Sequence, residues 1–101
     1  MPFRHVVMFR WGDHVDDDYV EQVREGLSRL PGEIDVIRGY VHGSDVGISD
    51  GNWDYVVVAD FDTVHDFVTY RDHPTHLLFI EETIKGNVTD RAAVQYQYGG
   101  H

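Results

Sequence analysis

Phe3-Arg4-His5-Val6-Val7-Met8-Phe9-Arg10-Trp11 alternates along its whole length. Successive side chains of an extended strand point to opposite faces. Phe3, His5, Val7, Phe9 and Trp11 therefore share one side, and Arg4, Val6, Met8 and Arg10 the other. The first side is aromatic and carries a histidine. The second is a short apolar band with an arginine at each end. Such a strand belongs in a sheet whose first face is covered by helices and whose second face needs a different cover.

The segments that follow supply the helices and the remaining strands. Asp16-Asp17-Asp18 offers a cap and negative charge at a helix N-terminus. Tyr19, Val20, Val23, Leu27 and Leu30 repeat at helical spacing, and Pro31-Gly32 predicts the end of that helix. Ile34 to Val41 reads as a second strand, and Gly43 to Asn52 as a loop rich in Gly, Ser and Asp. Trp53 to Phe61 is the clearest strand, centred on Val56-Val57-Val58. Thr63 to Tyr70 is helical, with Val64, Phe67 and Val68 inward. A further helical piece runs from Pro74 to Lys85 and stops at Gly86. Arg91 to Tyr98 is the last strand, with Ala92, Val94, Tyr96 and Tyr98 on one side. The order predicts an α+β fold, a ferredoxin-like β-α-β-β-α-β sandwich with an antiparallel sheet and its helices on one face. We expect one domain over residues 1–98 and a C-terminal tail at 99–101.

Val6, Met8, Val56 and Val58 fall on the face opposite the aromatic row, rimmed by Arg4, Arg10, Asp54 and Asp60. An apolar band with a charged rim is the usual build of an interface. A chain of 101 residues has nothing left to cover it. The expectation is a homodimer joined through the sheets with two-fold symmetry.

The formal net charge of −10 opposes contact with phosphate backbones or anionic lipid, so nucleic acid and membranes are not expected partners. No stretch approaches the roughly 20 apolar residues that span a bilayer, and no apolar signal segment precedes the first strand. There is no cysteine, hence no disulfide or thiolate chemistry, which suits a cytoplasmic location.

The chemistry concentrates in Tyr70-Arg71-Asp72-His73-Pro74-Thr75-His76. Proline lacks an amide hydrogen and disfavours helix at the preceding residue. A helix through Phe67 and Tyr70 should stop near Asp72, and a new one start with Pro74 at its first position. That break can aim Tyr70 and His76 at the same space. An imidazole can move a proton near neutral pH, and a tyrosine hydroxyl can hold a developing oxyanion. His5, on the aromatic face of the first strand, is a third candidate. Each alone has a plain alternative as a hydrogen-bonded core residue. A metal site is disfavoured: His73 and His76 stand at i and i+3 with Pro74 between them, and no His-Glu-x-x-His motif is present. No metal or cofactor is expected.

The chain resembles the stress-responsive A/B-barrel (Dabb) family of dimeric α+β barrels. The likeness runs from about Phe3 to Tyr96. It is carried by Arg4 to Phe9, Leu30-Pro31, Gly43-Ser44-Asp45-Val46-Gly47, Asn52 to Val58, Arg91 to Tyr96 and, most specifically, the Tyr-x-x-His-Pro-x-His segment at 70–76. One plant branch of that family contains a cofactor-free polyketide cyclase. Its catalytic tyrosine and histidine match Tyr70 and His76, and its strand-one histidine matches His5. The resemblance implies that His76 takes a proton from an activated methylene, Tyr70 steadies the enolate and His5 orients the substrate. Phe3, Phe9, Phe67, His73 and Phe79 would shape a pocket for a small hydrophobic ligand. Three functions follow as expectations. The first is a cofactor-free cyclase or lyase acting on a hydrophobic carbonyl compound. The second is a non-catalytic stress-responsive or ligand-binding dimer. The third is a cofactor-independent quinol monooxygenase.

Overall fold

The computed structural model describes residues 1–99. The element order is β1 (Phe3–Trp11), α1 (Asp17–Glu33), β2 (Gly39–Ser44), β3 (Tyr55–Phe61), α2 (Val64–Asp72), α3 (Pro74–Phe79), a π-helical turn (Ile80–Ile84) and β4 (Val88–Gln97). The four strands form one antiparallel sheet in the order β2-β3-β1-β4. This is the expected ferredoxin-like α+β fold, with the second helical crossover split at Pro74.

The two-residue period of β1 sets the core. Phe3, His5, Val7 and Phe9 are buried, as are Tyr55, Val57, Ala59 and Phe61 of β3. From α1, Val23, Leu27 and Leu30 pack onto them, and α2 adds Phe67 and Tyr70. Each large apolar side chain so buried contributes about 1.5–3 kcal/mol. Asp16 caps α1 as its sequence predicts, accepting from the Tyr19 amide at 2.9 Å. A polar chain ties α1 to the sheet: Ser28 Oγ meets His42 Nε2 at 3.2 Å, and His42 Nδ1 meets the Tyr55 hydroxyl at 2.7 Å.

Four element boundaries differ from expectation. Helix α1 runs through Pro31 to Glu33. Proline removes one amide donor here, but only two residues follow it, and Leu30 and Ile34, both buried, hold the last turn against the core. Ile34 to Arg38 is no strand. Ile34 caps α1, and Ile37 N–H bonds back to the Ile34 carbonyl at 3.2 Å. Its apolar residues plug the core from a turn, and β2 begins at Gly39. Trp53 lies outside β3, stacked under the Arg10 guanidinium at 4.3 Å. Strand β4 begins earlier than read, at Val88, through a bulge opposite Arg10 and Trp11. Of the tail expected at 99–101, residues 100 and 101 lie outside the described residues.

The helices cover β1 and β3 but not all of β4. Ala93, Gln95 and Gln97 sit on the helix side of the sheet and remain exposed. This uncovered edge opens the site described next.

Candidate active site

The row of residues crossing the sheet beneath α2 is Tyr40–Ala59–His5–Gln95. Ala59 is fully buried but small, so Tyr40 and His5 face each other across a gap. That gap grows into a cavity of about 490 Å³, within the usual range for small-molecule sites. Its apolar wall includes Phe9, Leu27, Val57, Phe67 and Phe79, and its polar groups include His5, Tyr40, Tyr70 and His76.

The Pro74 break positions two of these. His73 is extended (φ −63°, ψ 134°), as a residue before proline must be, and ends α2. Its ring caps α3, accepting from the Thr75 amide at 3.1 Å. Tyr70 comes from the last turn of α2 and His76 from the first turn of α3. Their ring centroids are 4.3 Å apart at an interplanar angle of 35°.

Hydrogen bonding fixes the state of His76. Its Nδ1 lies 3.0 Å from the Arg71 carbonyl, one of the acceptors left open at the end of α2. A carbonyl only accepts, so Nδ1–H donates and the proton-free nitrogen of the neutral ring is Nε2. Burial first, and the nearby His73 ring second, hold the imidazole below its ordinary pKa, against the opposing pull of the Arg71 carbonyl and Asp72. His76 is thus neutral at neutral pH, with a basic lone pair.

Tyr70 is buried, and its hydroxyl meets that of Tyr40 at 2.8 Å. Burial pushes both phenols up. When Tyr40 donates, it draws Tyr70 down again and leaves the Tyr70 O–H free to donate to a ligand. His5 Nδ1 accepts from the Gln95 amide at 3.0 Å, so Nε2 carries its proton. Burial lowers the His5 pKa to about 4, with the charge of Arg91 and the ring of His76 adding to the effect. His5 is a neutral donor over the working pH range.

The structure thus brings His5, Tyr70, His76, Phe9, Phe67 and Phe79 to one cavity. It leaves two predicted residues out. Phe3 packs on the far side of Phe67, with ring centroids 5.1 Å apart, and does not line the space. His73 is turned to the α3 N-terminus by its capping bond. Tyr40, Gln95 and Arg91 line the cavity without having been singled out. Reading the strand registers across the sheet would have found them, because Tyr40 and Gln95 share the row of His5. Among the described residues, no three of His, Cys, Asp and Glu converge as a metal site, and no helix is long and apolar enough to cross a membrane.

A ferredoxin-like sheet with a Tyr/His-lined cavity between sheet and helices defines the class. The chain belongs to the stress responsive A/B barrel domain (Dabb) family, whose sequence profile matches residues 3–98. A dimeric ferredoxin-like protein of unknown function from Thermobifida fusca YX is 43% identical, with a TM-score of 0.90 over 97% of this chain and 92% of that one. A Dabb family protein from Mesorhizobium loti MAFF303099 is 15% identical, with a TM-score of 0.81 over 98% of each chain. The hydroxynitrile lyase of Passiflora edulis is 17% identical, with a TM-score of 0.85 over 99% of this chain and 95% of that one. The last two are likenesses of fold. No curated protein matches the chain.

Proposed function

We propose that this chain is a cofactor-free acid–base enzyme acting on a small hydrophobic carbonyl compound, of the cyclase or lyase type. One observation carries the reading: the Arg71 carbonyl fixes the His76 proton on Nδ1, so the ring's proton-free nitrogen is Nε2, in a cavity shared with the Tyr70 hydroxyl. His76 Nε2 takes a proton from the carbon beside the substrate carbonyl. The electron pair moves onto the carbonyl oxygen, where the Tyr70 O–H, itself supported by Tyr40, donates to the developing enolate. The enolate carbon then attacks a second carbonyl, or expels a group from the β position. The proton on His76 returns to the new alkoxide or to the leaving group. His5, held as a donor by Gln95, orients the substrate. The name of the Passiflora protein offers a precedent for lyase chemistry on this fold.

The working unit is a homodimer joined through the uncovered sheet face, and its compartment the cytoplasm. Val41, Val58, Val6 and Val94 form one row across all four strands on that face. Val41 is 65% exposed and Val94 61%. The Thermobifida fusca and Bacteroides fragilis structures are described as dimeric, which supports this assembly.

The test needs no native substrate. Ethyl 3-oxooctanoate, an uncharged β-keto ester with an apolar chain, is incubated with the protein in D₂O, and loss of the methylene signal is followed by NMR. Wild type accelerates exchange beyond an equal concentration of free imidazole, and His76→Ala loses about 10²–10⁴-fold of that. Exchange no faster than free imidazole, or equal in His76→Ala, eliminates the catalytic reading and leaves a ligand-binding dimer.

A further inference from the structure

Three cations line the cavity: Arg71, Lys85 and Arg91. Two are already engaged. The Arg71 guanidinium grips Asp72 through two bonds of 2.9 and 3.0 Å. The Lys85 ammonium lies 3.3 Å from Glu81. Arg91 has no ion pair or side-chain hydrogen bond among the described residues. Arg10 and Arg29 likewise make no ion pair among the described residues, although 18 Asp and Glu outnumber 8 Lys and Arg, but of these three only Arg91 lines the cavity. A cation left without a carboxylate in so acidic a chain, at the wall of an apolar cavity, points to an anion from outside.

The position fits that role. Arg91 pairs with Phe9 on the helix side of the sheet, two residues from Ala93 and four from Gln95. All three side chains share the uncovered edge of β4, where the cavity opens. Ala93 is small and leaves a trough between them. Gln95 spends one N–H on His5 and keeps a second. A guanidinium presents planar paired donors that match a carboxylate. The charge of Arg91 also reaches the interior, adding to the fall at His5 and opposing the rise that burial causes at Tyr70. Leu27, Val57 and Phe67 supply buried apolar wall to the same cavity.

We propose that the cavity takes an amphipathic oxo-acid whose carboxylate is received by Arg91, with Gln95 beside it, and whose apolar chain lies against Leu27, Val57 and Phe67. The acyl chain runs inward from the open edge of β4, and only the assignment of the oxo group to Tyr70 and His76 rests on the acid–base reading above.

Calorimetry at pH 7.5 with octanoate, methyl octanoate and octyl phosphate tests this. Wild type should bind octanoate roughly tenfold tighter than methyl octanoate, as expected of a charge-assisted pair made by an exposed guanidinium with a second donor beside it. Arg91→Gln should bring octanoate down to the affinity of the ester, while Lys85→Gln keeps the preference. The proposal is overturned if wild type fails to bind octanoate or binds acid and ester alike. It also falls if Arg91→Gln retains the preference or Lys85→Gln loses it. Octyl phosphate binding tenfold tighter than octanoate would replace the carboxylate with a phosphoryl head and overturn it too. The β-keto ester carries no charge. Deuterium exchange without a carboxylate preference therefore rejects this proposal alone, and the preference without exchange rejects the acid–base reading alone.

Discussion

The two faces of the sheet differ by one residue in sequence and by everything in environment. On the helix side, the row Tyr40–Ala59–His5–Gln95 holds four polar or small side chains and runs from beneath the helices to the uncovered edge at Gln95. On the far side, one residue along each strand, Val41–Val58–Val6–Val94 is apolar from edge to edge. The next row out, Gly43–Val56–Met8–Ala92, continues it, and a bidentate pair between Arg4 and Asp60 at 2.7 and 3.0 Å marks its rim. Tyr40, His5 and Gln95 of the inner row each find one side-chain partner within the chain, and the donors left over face the hollow. The valines of the outer face have no such internal solution. Only a second apolar surface removes them from water. The strand period thus puts the proposed chemistry and the proposed assembly on opposite faces: a substitution on one face should act on one property.

Val6→Asp is the harshest way to break that separation. It puts a carboxylate in the middle of the valine row, twice per dimer. An uncompensated charge at the centre of an apolar interface costs several kcal/mol, so dimer affinity should fall by at least about a thousandfold. Light scattering after size-exclusion chromatography should show a monomer, and the cavity face should keep its exchange activity on ethyl 3-oxooctanoate to the extent that the monomer folds. A Val6→Asp protein that stays dimeric, or a wild type that is monomeric, would show that the outer face is not the junction.

The same contrast explains what could be read from the chain. The two-faced pattern of β1 and the valines of β3 were legible because alternation survives any register. Pro74 was legible because its constraint is local: His73 must be extended, and its neighbours Tyr70 and His76 are close in sequence. Pro31 shows the limit of that argument. The same residue type stands inside α1, since packing of Leu30 and Ile34 outweighs one lost backbone bond near a helix end. Tyr40 was out of reach for another reason. Its hydroxyl matters only because β2 is registered against β3 so that Tyr40 meets Ala59, and a strand read from Ile34 to Val41 does not reveal that register. Gln95 and Arg91 fell on the side of β4 opposite the apolar residues that drew attention. Phe3 shares the face of His5 but not the cavity, because strand alternation gives a face and not a depth beneath the helices.

A smaller effect sharpens the inner face alone. His5 is held neutral, its pKa lowered to about 4 by burial and by Arg91, against about 6.5 in the unfolded chain. Between these two values the unfolded state binds more protons than the folded one. Stability therefore rises with pH across this window, and acidification from pH 6.5 towards 4 removes it. Allowing for solvent in the open cavity, the loss should be on the order of 1–2 kcal/mol. Denaturant unfolding at pH 7 and pH 4.5 should show it, and His5→Gln, which keeps a donor but cannot titrate, should flatten the difference. An equal pH slope in that variant would place the titration elsewhere, with His76 the next group to replace, since it too is lowered by burial.

The smallest expected change asks how tightly the inner layer is built. A methyl group added at Gly26 of α1 would collide with Phe79 Cε1 and come within 2.9 Å of Cδ1. Real side chains do not approach so closely, so the ring must move. Overpacking of this kind costs about 1–3 kcal/mol, whereas replacing glycine by alanine within a helix returns close to 1 kcal/mol. Gly26→Ala should therefore destabilise by only about 1 kcal/mol in denaturant unfolding. Its second consequence is the sharper one. Phe79 is seated between α1 and the cavity, and a ring displaced from Gly26 has the hollow beside it to enter. Octanoate should then bind more weakly, while the proposed dimer contact on the other face should be unchanged. Combining Gly26→Ala with Phe79→Leu shortens the ring that would clash and should restore both stability and binding. If the double variant is no better than the single one, the glycine serves the backbone of α1 rather than the seat of Phe79.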